Sequence, residues 1–453
     1  MTRELARYIA RALHKPLPKP VLEKTKHHVL DTIAAMVSGS RLLPGRRALA
    51  YIKTRGGTPE ACVVGSRLLT TVENAALANG MLAHADETDD SHAATSQHPG
   101  CAIVPAALAM AECKQRDGMA MLRATALGYD VSIRMNQALH ASRFRIVGHS
   151  THSFGPAFGA AAAVAALFKL NPTQVRHVFS YVAQQAGGVG CFQRDIEHIE
   201  KAFDFGGLPA RNGVTAAMLV AHGCTAVDDV FSGERNFFIA HDESARTGVA
   251  PEPACLTRGL GADFAIMSTN IKRWSVGSPI QGALDSLYEL LRAHEFSAGD
   301  VEKVVVRVYA GGANVTDNRE MADICMQHMC ALMLVDGRVT FDSAHNNRRM
   351  KDPQVLAMRR RVELVADEEL ERLRPEKHAI VEITLADGRC LRHHTRAVRG
   401  TAQNPMSRIE VEEKCLGLID RILGKRRARA LCDAVWNLEK LKDVRSLRPL
   451  LVA

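Results

Sequence analysis

Residues 155–170 read GPAFGAAAAVAALFKL. Nearly every position is small or apolar, and no charge intrudes before Lys169. Small side chains let two helix backbones approach closely, so this stretch predicts a buried central helix. Asn171-Pro172 ends it, and Thr173 to Gln185 begins the next helix. Working outward, Val21 to Val37 carries Leu22, Val29, Ile33 and Met36 on one side at helical spacing. Leu5, Ile9 and Leu13 repeat that spacing near the start, and Ala210 to Gly223 is a further small-residue helix closing on glycine. The first two thirds of the chain therefore read as helix after helix.

The character changes near residue 270. Val301 to Tyr309 (VEKVVVRVY) alternates and is β-branched, which predicts a strand. Met321 to Val335 reads as a helix stopped by Asp336-Gly337. Ala379–Leu385 and Cys390–His394 flank Asp387-Gly388, the signature of a hairpin. From about Glu410 to Leu438 the helical period returns. The expected fold is mainly α. A large all-helical domain is built from both chain ends, residues 1–268 and 401–453. A smaller α+β domain, residues 269–400, is inserted as a lid, and the seam between two such domains is a common place for a ligand cleft.

Composition narrows the function. The 453 residues are 47% hydrophobic and 24% charged, which excludes a mainly disordered chain. The net charge of +9 permits an anionic partner, but aromatics are only 5% and the basic residues are scattered, against a nucleic-acid surface. The one dense run, Lys425 to Arg429, reads as a solvated helix face. None of the 11 cysteines forms a CxxC pair, so neither a disulfide framework nor a zinc knuckle is expected. A reducing, cytoplasmic setting follows. Cys325 to Cys330 reads as core packing. Arg3, Glu4 and Arg7 interrupt any secretory start, and Phe154–Phe168 is too short for a membrane span.

Polar residues collect in four places. His84 to His92 (HADETDDSH), followed by His98-Pro99, could bind a metal, move protons, or form an exposed acidic helix N-terminus. Gly148 to Gly155 (GHSTHSFG) stands directly before the alanine-rich helix, where free N–H groups favour an anion. Thr151 or Ser153 could equally be plain caps. Lys201 to Gly207 (KAFDFGG) and Lys272 to Gly277 (KRWSVG) each set a lysine among apolar and glycine residues. Such a lysine can face an anion or snorkel to the surface. Gly187-Gly188-Val189-Gly190 follows a helical pattern and is no dinucleotide fingerprint.

In order and together, these segments resemble the MmgE/PrpD family, whose members include dehydratases, decarboxylases and an epimerase. The resemblance covers almost the whole chain. It implies small di- or tricarboxylate substrates, no metal or organic cofactor, and a homodimer. By that resemblance His98 and His149 are the proton carriers, Lys201 and Lys272 hold negative charge, and Glu87 is the remaining catalytic group. Asp90, Ser91, Thr151, Asp204 and Arg273 are the expected substrate contacts. Four departures stand out: Glu87 and Ser91 within the acidic motif, His98 one residue later than in the decarboxylases, and Asp204 where the family has histidine.

The expected activity is a cofactor-free hydro-lyase that dehydrates a 2-methylcitrate-like hydroxy acid. Decarboxylation or epimerisation of a related acid uses the same proton-moving groups. A metal-dependent hydrolase built on Asp86, Glu87, Asp89, Asp90 and His92 is a different reading, as is an acid-binding protein without turnover. Neither a nucleic acid nor a membrane is an expected partner.

Overall fold

The computed structural model describes all 453 residues, Met1–Ala453. The chain divides into two compact units. The first comprises Met1–Ala85, Asp89–Thr269 and Val411–Ala453. The second comprises Asn270–Glu410 and the three-residue segment Asp86–Thr88. The insert thus runs past 400, and a piece of the acidic run belongs with it.

In the first unit the alanine-rich stretch is the helix Thr151–Phe168, and all but its last residue are buried. It crosses the helix Gly118–Ala138 at glycines. A Cβ on Gly159 would lie 2.4 Å from the Gly128 carbonyl oxygen, and one on Gly155 would lie 2.5 Å from that of Ser132. On another side Gly213, in the helix Leu208–Ala221, sits so close that a Cβ would be 2.6 Å from the Ala161 nitrogen. Small residues are required here because the backbones themselves are in contact. The helix is long and apolar enough to cross a membrane by composition alone, but its apolar window is 94% buried within the protein.

Local signals place most neighbouring elements. Asn171 and Gln174 form a reciprocal capping box on Pro172–Gln185. The helix Lys19–Gly39 buries Val29, Ile33 and Met36 completely. Two expectations change. Leu13 leaves the first helix, which ends at Arg11, and falls in a 3-10 turn. The C-terminal stretch is two helices, Arg408–Leu423 and Lys425–Trp436, because Gly424 at φ +79° interrupts the period. Lys425, Arg426, Arg427 and Arg429 are exposed on the second of these, with Ala428 facing inward.

The second unit is built on a four-stranded sheet. Its order is Val362–Asp367, Val301–Tyr309, Ala379–Leu385, Cys390–Thr395. Val304, Val306 and Val308 turn one fully buried face to the core, as alternation requires. The helices Gln281–Ala293 and Met326–Asp336 supply the other wall, with Leu284, Leu287, Met329 and Cys330 buried. Gly388 turns the expected hairpin at φ +86°. The parallel strand Val362–Asp367 was not legible, because this edge strand buries few of its side chains and so does not alternate. All eleven cysteines are free.

Candidate active site

The helix Val72–Ala83 ends at His84, and the acidic run follows as irregular chain before the helix Gly100–Cys113. It is no exposed helix N-terminus: Asp89 and Asp90 are completely buried, and Asp86 and Glu87 nearly so. Carboxylates at such depth need partners.

Asp89 has two. Its Oδ1 accepts from His84 Nδ1 at 2.9 Å and from His98 Nδ1 at 3.0 Å. Burial alone would raise the Asp89 carboxyl, but the two imidazoles outweigh it and hold it well below the carboxylate range. An ionised Asp89 can only accept, so both imidazoles carry their proton on Nδ1 when neutral. In His98 the Nε2 lone pair is thereby the basic position.

Phe205 organises the rings around this pair. His84 stacks on it at 4.2 Å between centroids, and His152 stacks at 3.5 Å with an 8° interplanar angle. His98 is tilted against it at 5.4 Å and lies equally far from the His152 ring. Burial first, then the neighbouring His98, keeps His152 well below the usual imidazole range, so it is neutral. Its buried Nδ1 has no hydrogen-bond partner.

Phe205 owes its position to a five-residue π-helical stretch, Phe203–Gly207, between Ile199–Ala202 and Leu208–Ala221. Such stretches recur at functional sites. Here Gly206 and Gly80 touch backbone to backbone, a Cβ on Gly206 falling 2.0 Å from the Gly80 carbonyl oxygen. The same stretch carries Asp204. Its carboxylate accepts the Ser150 hydroxyl, and the Ser153 hydroxyl at 3.2 Å. Burial raises Asp204 to about 7, with the two serines pulling the other way. The start of the alanine-rich helix, expected to hold a substrate anion, thus already faces a carboxyl group of the chain. Gly188 backs onto this spot: a Cβ there would lie 1.9 Å from Ser153 Oγ. That close approach, at φ +133°, explains Gly188 in the glycine run.

The remaining expected residues divide. Lys201 is half-buried, with its ammonium 5.2 Å above the Phe205 ring, so it joins the cluster. His149 does not. Its Nε2 meets Glu243 at 2.9 Å and its ring stacks on Phe144 at 4.0 Å. The structure brings His152, three residues on and inside the helix, to His98 instead.

Asp90 serves the framework. It accepts from His28 at 2.7 Å, from the Tyr129 hydroxyl at 2.5 Å and from Gly100 N at 3.0 Å. It therefore anchors the helix that follows His98-Pro99. Thr151 donates its hydroxyl to the Ser96 carbonyl at 2.6 Å. Ser91 is buried beside a bridge between His92 and Gln97.

The second unit holds its own polar group. Lys272, almost fully buried, donates to the Glu87 carbonyl at 2.6 Å and lies 3.4 Å from the Glu87 carboxylate. Arg273 turns away from it. Its guanidinium lies 4.1 Å from the Tyr288 centroid and 3.8 Å from Asp285, so packing accounts for it.

The five residues of the hydrolase reading do not form one ligand set. Asp90 is spent on His28 and Tyr129, while His92 bonds Thr95 at 2.7 Å and Ser268 at 3.2 Å. Burial lowers His92 to about 4. His84, Asp89 and His98 do offer three ligand-type atoms within 4.8 Å, but the two Nδ1–H bonds already engage them. His152, His84 and His28 were missed from sequence. His152 stood in the quoted motif, and its place in the first helical turn was the available signal.

The helical first unit and the α+β second unit, with a buried His–Asp centre in the first, define the class of protein. The MmgE/PrpD N-terminal domain matches residues 3–248 and the MmgE/PrpD C-terminal domain matches residues 274–440. The chain belongs to the MmgE/PrpD family and is an enzyme of it. It is 24% identical to the cis-aconitate decarboxylase-like protein oryM of Aspergillus oryzae, over 100% of this chain and 97% of that protein. It is 25% identical to human cis-aconitate decarboxylase, over 100% and 95% respectively. A 2-methylcitrate dehydratase of Yarrowia lipolytica is 30% identical, but over only 23% of this chain and 22% of its own length.

Proposed function

We propose that this chain is a lyase acting on a small di- or tricarboxylate by acid–base catalysis, with His98 as the principal proton carrier. The observation that carries the reading is the Asp89–His98 hydrogen bond at 3.0 Å, which leaves Nε2 of His98 as the proton-exchanging atom. The half-buried Lys201 supplies positive charge to a substrate carboxylate or a developing enediolate. His152, neutral and with an unbonded Nδ1, is the second polar group for the substrate.

Two bond-breaking steps fit these groups. In decarboxylation the C–C bond to a carboxylate breaks, its electron pair stays on the carbon, CO2 leaves, and His98 returns a proton to that carbon. In dehydration His98 takes the proton next to a carboxylate, and hydroxide departs from the neighbouring carbon with a proton from a second acid. Decarboxylation takes first place, because the full-length relatives carry that name. Dehydration of a 2-methylcitrate-like acid, the expectation from sequence, is supported by a relative over a quarter of the chain.

The test is a product assay by NMR with cis-aconitate, 2-methylcitrate, citrate and a hydroxysuccinate, for the wild type and His98→Gln. CO2 release or loss of water, at least ~100-fold weaker in His98→Gln, is the expected result. Turnover untouched by His98→Gln would remove the reading, and so would no turnover of any acid.

A further inference from the structure

His345 was not anticipated from sequence. A capping box at Thr340 and Ser343 starts the short helix Phe341–Ala344, and His345 closes it. Its Nδ1 donates to the Phe341 carbonyl at 2.8 Å, which fixes that proton in place. The titrating atom is therefore Nε2. It faces two carboxylates, Asp86 at 2.8 Å and Asp323 at 3.9 Å. The Nε2–H is poorly aligned for a hydrogen bond, so the contact with Asp86 works mainly through charge.

Asp86 in turn shapes the segment that follows it. Its two oxygens accept from the Thr88 amide at 3.1 Å and the Thr88 hydroxyl at 2.5 Å. That closes a tight turn with Glu87 at its apex, and Lys272 is bonded to Glu87 there.

We infer that His345, through its cationic contact with Asp86, is a positioning residue that holds the Asp86–Glu87–Thr88 turn and so sets the Glu87–Lys272 pair for catalysis. This inference rests on the proposed lyase reading, with Lys272 and Glu87 in the catalytic roles that the family resemblance implies, but the positioning itself does not. No other titratable group is needed: Asp86 and Asp323 are the charges that face Nε2, and Phe341 contributes its carbonyl and a ring 4.3 Å away. Burial disfavours the charged imidazole, but the two carboxylates prevail and carry it up to about 9. The contact is consequently intact at neutral pH and lost in alkali.

The experiment uses the full chain with His345→Gln, Asp86→Asn and the double variant. One arm follows acetylation of Lys272 by mass spectrometry, since Lys272 is only 3% exposed when the turn is in place. Labelling at least ~10-fold faster in each single variant, and no faster in the double, is expected for one shared contact. The other arm measures kcat/KM against pH. A wild-type alkaline limb near 9 that disappears in His345→Gln, with kcat/KM lowered ~10- to 100-fold at neutral pH, is expected. Wild-type protein taken above that limb gives the same readout without a mutation once Lys272 labelling is divided by that of an exposed lysine such as Lys425, because acetylation of every lysine quickens as its amine loses the proton. Lys272 equally protected in His345→Gln and at alkaline pH would overturn the inference, as would additive single effects. Absence of all turnover would count against the lyase reading alone, because the labelling arm still decides the positioning.

Discussion

Asp89 and His98 lie nine positions apart, and the carboxylate of the first accepts the Nδ1–H of the second at 3.0 Å in a fully buried setting. One oxygen of Asp89 also takes His84, so a single carboxylate fixes two tautomers. Asp89→Asn replaces one acceptor-only group by an amide that cannot serve both imidazoles as an anion. The expected result is a loss of roughly 10²–10⁴ in kcat with a small change in KM. A KM effect alone, at full kcat, would contradict this role.

His152 and His149 are separated by the same measurement. His152 shares Phe205 with His98, whereas His149 is paired with Glu243. His152→Ala is expected to lower kcat/KM by ~10²-fold, and His149→Ala by less than ~5-fold. The reverse order would mean that His149 leaves Glu243 when substrate binds.

Asp204 makes stability depend on pH. Its carboxyl is raised from the ordinary carboxylate range to about 7, so the folded state holds the proton more tightly than the unfolded chain. The stability associated with the protonated form is complete below pH 4 and is lost as pH rises through about 7. Asp204→Asn keeps an acceptor for Ser150 and Ser153 without the charge. Thermal unfolding at pH 8 should show the variant more stable than wild type by on the order of 2–4 kcal/mol, and this gain should vanish by pH 4. A pH-independent difference would place the burial cost elsewhere.

Gly206→Ala tests the backbone contact beneath Phe205. The new methyl would overlap the Gly80 carbonyl, so the π-helical stretch must shift. A destabilisation of about 1–3 kcal/mol is expected, together with reduced turnover from displaced Phe205 and Asp204. Unchanged unfolding would show that the two segments part easily.

Removal of metals is expected to leave activity intact. The Nδ1–H bonds of His84 and His98 to Asp89 already occupy the Asp89 Oδ1 that a cation between them would have to share. Dialysis against a chelator followed by assay checks this, and activity lost and then restored by a divalent metal would reverse it.

The sequence by itself determined what local chemistry controls. Alanine and glycine between 155 and 168 demanded close helix contacts, and the valines of 301–309 demanded a sheet face. Asn171-Pro172 demanded a helix start. It also drew out Lys201 and Lys272, because lysines among apolar and glycine neighbours are out of place on ordinary surfaces, while Glu87 and Asp204 stood out through the resemblance to the family. Tertiary structure alone decided which of them meet. Burial made partners of Asp89 and two histidines, spent Asp90 on His28 and Tyr129, and turned His149 towards Glu243. His345 reaches Asp86 from 259 positions away. No spacing rule spans that distance, because a charge that is removed from water seeks its counter-charge through space and not along the chain.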